Sequence, residues 1–235
     1  MKNVHGNPLE RRPFLSRLSA AMGAFTAGFT MAPGSLGAET PRRTEWQPTR
    51  HAQDDWFDAL PGQHRFFFDA TSPGGAGEAM VFATNYYVAN RTGYDLADAD
   101  LAVVICLRHY ATVFALNDAI WAKYGEQLSE RVGWVDPETG GASMRNRYND
   151  GSGGEGMTNR RIKLDDMIAR GTHFAVCGMA TTAFAGGIAR ATGQESEAVR
   201  AEFAANTIGN AHIVPAGIVA VNRAQERGYS IQYIG

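Results

Sequence analysis

Short apolar runs alternate along this chain with amphipathic stretches of helical period, a rhythm that predicts strands and helices taken in turn. His64 to Ala70 (HRFFFDA) predicts the first strand; its three consecutive phenylalanines point to burial on both faces, as parallel strands require. The turn Ser72 to Gly77 opens a helix predicted over Glu78 to about Asn90, ahead of Gly93. Asp100 to Leu107 (DLAVVICL) predicts the second strand, with Arg108, His109 and Tyr110 at its exit and a helix over Thr112 to Tyr124. Further on, Leu164, Met167 and Ile168 mark one side of a short helix that ends near Gly171. Thr172 to Val176 then predicts a buried strand, and Cys177 with Gly178 the turn into a second apolar helix. Ser196 is placed to cap a helix from Glu197 to about Asn206, with acidic residues in its first turn. Ala211 to Val214 is short and strand-like, Pro215 starts a helix to Arg227 that stops at Gly228, and Tyr229 to Ile234 is the last strand. Elements so spaced predict one α/β domain with a mainly parallel sheet and helices on both faces.

Three stretches depart from this rhythm. Ser129 to Lys163 is rich in glycine, asparagine and aspartate and carries Arg131, Arg145, Arg147, Arg160 and Arg161; an insertion this long reads as a functional lid or an unstructured loop. Residues 39–62 are polar and rich in proline and arginine, with Trp46, Trp56 and Phe57 as isolated anchors, and predict an extended arm that docks locally. Residues 1–38 read as a leader. Arg11 and Arg12 precede Phe14 and Leu15, a mildly apolar Gly/Ala-rich stretch runs from Leu18 to Met31, and Ser35 to Ala38 offers a small-residue cleavage site. The order is that of a twin-arginine export signal, with Glu10 where a hydroxyl residue is usual, and it implies a periplasmic protein.

With 44% hydrophobic and 20% charged residues, the 235-residue chain has ordinary globular composition, enough for one domain plus the leader. A net charge of −2 leaves no electrostatic footprint for nucleic acid, and no apolar run is long enough to span a membrane.

The candidate chemistry centres on Cys177. At the carboxyl edge of a parallel strand it sits where such folds keep their ligand crevice, and a thiol beside a helix N-terminus is biased toward thiolate. The alternative stays open that it is a small packed hydrophobe, as many cysteines are. Arg108 and His109 leave a strand at the same edge, so a guanidinium or imidazolium near the thiol would activate it further. Only Cys106 is available as a disulfide partner, and only if the two strands pair in a suitable register. The glycines from Gly74 to Gly77 follow a strand but lack dinucleotide-binding spacing. Gly151 to Thr158 has P-loop spacing but carries Met157 where the lysine is needed. The histidines His51, His64, His109, His173 and His212 are scattered and predict no zinc site; Asn117 and Asp118 are expected on the wet side of an apolar helix.

The strand exit Arg108-His109 followed by FALNDAIWAKYGEQL, then LDDMIARGTHFAVCGMATTAF and IVPAGIVAVNRAQERGYSIQYI, resembles the DsrE/DsrF-like superfamily, closest to its exported members. The resemblance covers Arg65 to Ile234. It implies a three-layer α/β/α domain with about five strands in a mainly parallel sheet, assembled as a homotrimer or homohexamer. It also implies that Cys177 carries a persulfide between a sulfur donor and an acceptor protein, with no cofactor required. It assigns nothing to Cys106, Arg108 or His109. A ligand- or cofactor-binding module, with aromatic residues such as Phe66 to Phe68, Tyr110 and Phe114 receiving a flat ring, and an oligomeric interaction protein are the alternative functions.

Overall fold

The computed structural model describes residues 47–136, 138–151 and 160–235. The export-type leader, the arm up to Trp46 and the P-loop-like Ser152 to Asn159 lie outside the described residues. Five strands form one sheet: β1 (His64–Ala70), β2 (Leu101–Leu107), β3 (His173–Cys177), β4 (Ala211–Val214) and β5 (Ser230–Ile234). Their order is β4-β3-β2-β1-β5 and every pairing is parallel. The helices are α1 (Trp56–Ala59), α2 (Pro73–Tyr94), α3 (Asp118–Val132), α4 (Arg147–Asp150), α5 (Leu164–Ala169), α6 (Gly178–Thr192), α7 (Ser196–Ala205) and α8 (Gly217–Gln225). The α/β architecture read from the sequence is therefore the one observed.

Handedness sorts the helices into layers. From β1 to β4 each crossover moves one strand in the same direction, so right-handed connections put α2, α3, α5, α6 and α7 on one face. That face receives Phe68, Val103, Ile105, Phe174 and Val176 from the strands. The last crossover returns across the sheet, so α8 lies on the other face with α1, over Phe67, Val104, Cys106, Ala175 and Val214. Phe57 is fully buried on this face, and its carbonyl accepts hydrogen bonds from Arg65 Nη1 (2.8 Å) and from the Tyr229 hydroxyl (2.8 Å).

Several element boundaries differ from the sequence expectation, each for a local reason. Helix α2 begins at Pro73, because Ser72 Oγ accepts from the Gly75 amide (2.9 Å) and proline fits the first helical position, so Gly74 to Gly77 are helical. Between β2 and α3 the chain makes a 3₁₀ segment, His109–Ala115. Asn117 is the cap of α3, not a mid-helix polar residue; its Oδ1 accepts from the amides of Ala119 (3.1 Å) and Ile120 (3.4 Å). Ser196 is the first residue of α7, and its cap position is held by Glu195 with no side-chain bond. Pro215 lies ahead of α8, whose cap position is Ala216.

The largest correction concerns residues 129–163. Ser129 to Val132 complete α3, and the described part of the segment beyond is pinned by buried polar groups rather than left structureless. Arg147 and Asp136, with side chains 2% and 4% exposed, form a two-point ion pair (Nη2–Oδ1 2.5 Å, Nε–Oδ2 2.8 Å). Ser143 Oγ donates to Asp136 (3.1 Å), Asn146 Nδ2 donates to the carbonyls of Phe114 (2.8 Å) and Leu116 (2.9 Å), and the Tyr148 hydroxyl donates to the Pro73 carbonyl (2.7 Å). The Arg147 guanidinium and the other donors hold the Asp136 carboxyl down at about 2. A second correction concerns the histidines. Strand pairing brings His173 and His212 together, with Nδ1 and Nε2 2.9 Å apart, and Trp56 stacks on the His212 ring at 4.0 Å.

Two predictions follow from these buried polar groups. Asp136→Asn removes the buried, two-point partner of Arg147 and leaves the part-exposed Glu138 carboxylate (2.8 Å) against its charge, and is expected to cost about 2 kcal/mol of unfolding free energy or more, measured by urea denaturation. Burial holds both imidazoles below the ordinary histidine range, and for His212 the neighbouring His173 adds to the effect. The unfolded chain therefore takes up protons near about pH 6.5 that the folded state refuses. Stability is full above that pH and falls as the solution is acidified through it. Urea midpoints at about pH 7.5 and 5.5 should show the drop, and His212→Phe, which keeps a ring under Trp56, should shrink it.

Candidate functional site

In an open parallel sheet the ligand crevice lies where neighbouring strands send their connections to opposite faces. Strand β3 leads into α6 on one face and β4 into α8 on the other, so the switch falls between these two strands. Cys177 and Val214 are partners in that ladder, one at the end of each strand. The chain packs tightly at this point: a Cβ on Gly178 would stand 2.7 Å from the Val214 carbonyl oxygen, which is why the residue after the cysteine has no side chain.

Cys177 is at once the last residue of β3 and the N-cap of α6. Its Sγ accepts from the Ala180 amide (3.5 Å), its carbonyl accepts from Thr181 Oγ1 (2.9 Å), and the residue is 8% exposed. The sulfur thus replaces the oxygen of a usual capping side chain and meets the amino end of a 15-residue helix. Around it stand large apolar side chains in contact with solvent: Met179 (70% exposed) in the first turn of α6, Ile213 (46%) on β4 and Ile218 (60%) in the first turn of α8.

Register places Arg108 beside Cys177. The β2–β3 ladder ends at Leu107 opposite Val176, so the next residues along are Arg108 and Cys177, on the face that α8 covers. The guanidinium, however, turns toward β1. Its Nε and Nη2 donate to the two carboxylate oxygens of Asp69 (2.6 and 2.9 Å), and that bond raises the arginine pKa against the opposing effect of burial. Asp69 is 4% exposed, so the pair is a largely buried fork. A Cβ on Gly217 would meet Arg108 Cβ at 2.5 Å, so the amino end of α8 presses against the stem of the same arginine. His109 takes a left-handed backbone (φ 55°) and stacks on Tyr110 at 4.1 Å. Neither Arg108 nor His109 makes a hydrogen bond or ion pair with Cys177. The three expected site residues share the carboxyl edge, but the cations are not turned to the sulfur.

Cys106 belongs to the core. It is fully buried, its thiol donates to the Gly217 carbonyl (3.9 Å), and burial, with Asp69 adding to it, pushes that thiol well up. Both cysteines are free. Cys106 faces Ala175, so Cys177 stands one strand across and two residues along. Ladder spacings make that diagonal about 8 Å between Cα atoms, beyond the ~7 Å a disulfide spans without backbone movement. Among the described residues no group of three or more His, Cys, Asp or Glu side chains is placed to hold a metal ion, and no helix is long and apolar enough to cross a membrane.

Asp69 is the site residue that pattern reasoning passed over. Its signal was present: a lone carboxylate ends the apolar run HRFFFDA, and a lone arginine follows the next strand, DLAVVICL. Compared with protein-family models, curated proteins and solved structures, the chain finds no match.

Differential exposure gives a direct test. Iodoacetamide is expected to modify Cys177 in the native protein and Cys106 only after unfolding. Mild oxidation should give no intramolecular disulfide, seen as two titratable thiols in the unfolded, unreduced protein.

Proposed function

We propose that this protein is a sulfur carrier, exported to the periplasm, that holds sulfane sulfur as a persulfide on Cys177 and passes it to the thiol of a partner protein. One observation carries the reading: where the connections of β3 and β4 part to opposite faces, Cys177 Sγ is the acceptor that caps α6, bonded to the Ala180 amide at 3.5 Å. A persulfide carried there would meet the same amide donor and the amino end of α6, which attract negative charge. In the loading step the Cys177 thiolate attacks a terminal sulfur of a polysulfide. One S–S bond of the polysulfide breaks, the Cys177 S–S bond forms, and a polysulfide one sulfur shorter leaves with the electron pair. In the unloading step a partner thiolate attacks the outer sulfur, and Cys177 departs as thiolate.

The apolar rim of Met179, Ile213 and Ile218 suits a protein acceptor better than water or a small ion. Arg108 enters as a positioning group: with its charge satisfied by Asp69, it holds the strand end next to Cys177 rather than donating to the sulfur. His109 is exposed beside it and is assigned no step. The trimer or hexamer that the resemblance implies belongs to the same proposal and is checked by light scattering.

A second reading, a ligand-binding module, is favoured by a separate feature. Phe66, Phe68, Phe82 and Tyr86, with Asn85 and Gln232, line an open groove of about 520 Å³ beside edge strand β5, a size and lining that suit a flat ring. Of the rings expected for this purpose only Phe66 and Phe68 line it; Phe67 and Phe114 are core residues. A protein purified from its own host without bound absorbance or bound mass speaks against that module.

Intact-mass analysis after incubation with polysulfide decides the first reading. The expected result is a gain of one sulfur atom on the wild-type protein, lost on reduction, absent in Cys177→Ser and retained in Cys106→Ser. No gain, or the same gain in Cys177→Ser, overturns it.

A further inference from the structure

We infer that the groove between the carboxyl-terminal halves of α3 and α6 is a binding site for an organic monocarboxylate with an apolar body, held between Arg131 and Arg190. The groove has a volume of about 330 Å³; Gln127, Glu130 and Arg131 line it from α3, and Phe184, Ile188 and Arg190 from α6. It is independent of the thiol: Arg190 lies twelve residues after Gly178 on the same helix, about 18 Å along its axis.

The two arginines are what distinguishes it. Among the described residues neither Arg131 nor Arg190 has a hydrogen bond or an ion pair, whereas Arg200 on the neighbouring α7 is paired with Glu197. Arginines near helix ends often serve the last carbonyls. Here the backbone does that work. The Gly133 amide bonds to the carbonyls of Glu130 and Ser129, and the amides of Gly193 and Gln194 bond to that of Ala189. Both guanidinium groups are left with donors to offer.

Both arginines line the same groove and pass beside two consecutive glycines of α6. The Arg131 stem crosses α6 at Gly187, where an added Cβ would lie 3.9 Å from its Cδ and Nε, and its guanidinium rests 5.6 Å from the Phe184 ring centroid. Arg190 Nη1 lies 3.6 Å from where a Gly186 Cβ would be, one turn back on its own helix. Two cations against the one carboxylate of Glu130 leave the lining at net +1, which matches a monoanion better than a phosphate dianion. The Phe184 and Ile188 side chains form an apolar floor for the remainder of the ligand. Planar guanidinium forks bind carboxylates with matched geometry.

The test uses the full chain and 4-(trifluoromethyl)benzoate as the probe, observed by fluorine NMR. Saturable broadening is expected, weakened about tenfold or more in Arg131→Gln and in Arg190→Gln, and unchanged in Cys177→Ser. Both arginines are exposed, so the variants should keep the wild-type circular dichroism. The neutral 4-(trifluoromethyl)benzyl alcohol should bind far more weakly, and inorganic phosphate should not displace the probe. Absence of saturation into the millimolar range, equal binding of the alcohol, or wild-type binding by both arginine variants overturns the inference.

Discussion

Between β4 and β5 the chain crosses the full width of the sheet, and a right-handed connection in that direction has to run over the face opposite to the three crossovers before it. Everything at the carboxyl edge is set by that reversal. Because β3 and β4 part company there, the ends of α6 and α8 splay to opposite sides, and the residue that closes β3 stands at the mouth of the gap. That residue is a cysteine. Among the described residues the second face is covered by α1 and α8, so Arg108 and Tyr233 reach solvent at its carboxyl edge while Asp69 between them and Phe67, Val104 and Ala175 beneath stay buried.

The carboxyl edge also shows why neighbourhood in register is not the same as electrostatic contact. Arg108 is one strand from Cys177, close enough for a flexible side chain to reach, yet Asp69 on the other side offers two oxygens in fork geometry. Removing a carboxylate from water costs several kcal/mol unless it is matched, so a 4% exposed Asp69 secures the guanidinium. What remains for the sulfur is uncharged: one amide and the amino end of a helix, a fixed donor that costs nothing to orient. Cys106 shows the contrast. Two residues back on the next strand and on the same face, it lacks any such donor, and burial pushes its thiol well up.

The architecture was legible because the apolar runs are long and bounded by turn residues, and the site because Cys177 closes such a run directly before a helix. What escaped were interactions between distant residues. The Asp69–Arg108 fork joins positions 39 apart, and the His173–His212 contact again joins positions 39 apart, each brought together only by the sheet. Local signals misled where tertiary packing outweighed them. Glycines 74, 75 and 77 looked like a loop, yet the Ser72 cap and Pro73 make them helical, and position 75 is a glycine where the Ile234 carbonyl packs closer than a Cβ would permit (2.8 Å). The stretch after α3 looked featureless because its order comes from side chains. Asp136, Ser143 and Arg147 satisfy one another in the interior while Asn146 bonds to the Phe114 and Leu116 carbonyls, and composition cannot distinguish such a polar core from a solvated loop.

A carrier of sulfur needs a way for the sulfur to leave. Within one chain the usual route is a second thiol that attacks the first, forms a disulfide and releases sulfide. Here that route is closed by register, since Cys106 faces Ala175 rather than Cys177 and is fully buried with its thiol turned to the Gly217 carbonyl. Under the proposed function the attacking thiol has therefore to come from outside, along the solvent side of α6 and α8. The apolar side chains exposed on those first turns, Met179 and Ile218, are then the first surface it meets. A persulfide there would sit beside a helix end that favours its charge and out of reach of the chain's own second cysteine. Under the proposed function such a site would retain sulfur until a partner docks, and without an internal resolving thiol it would act as a carrier rather than as a source of free sulfide.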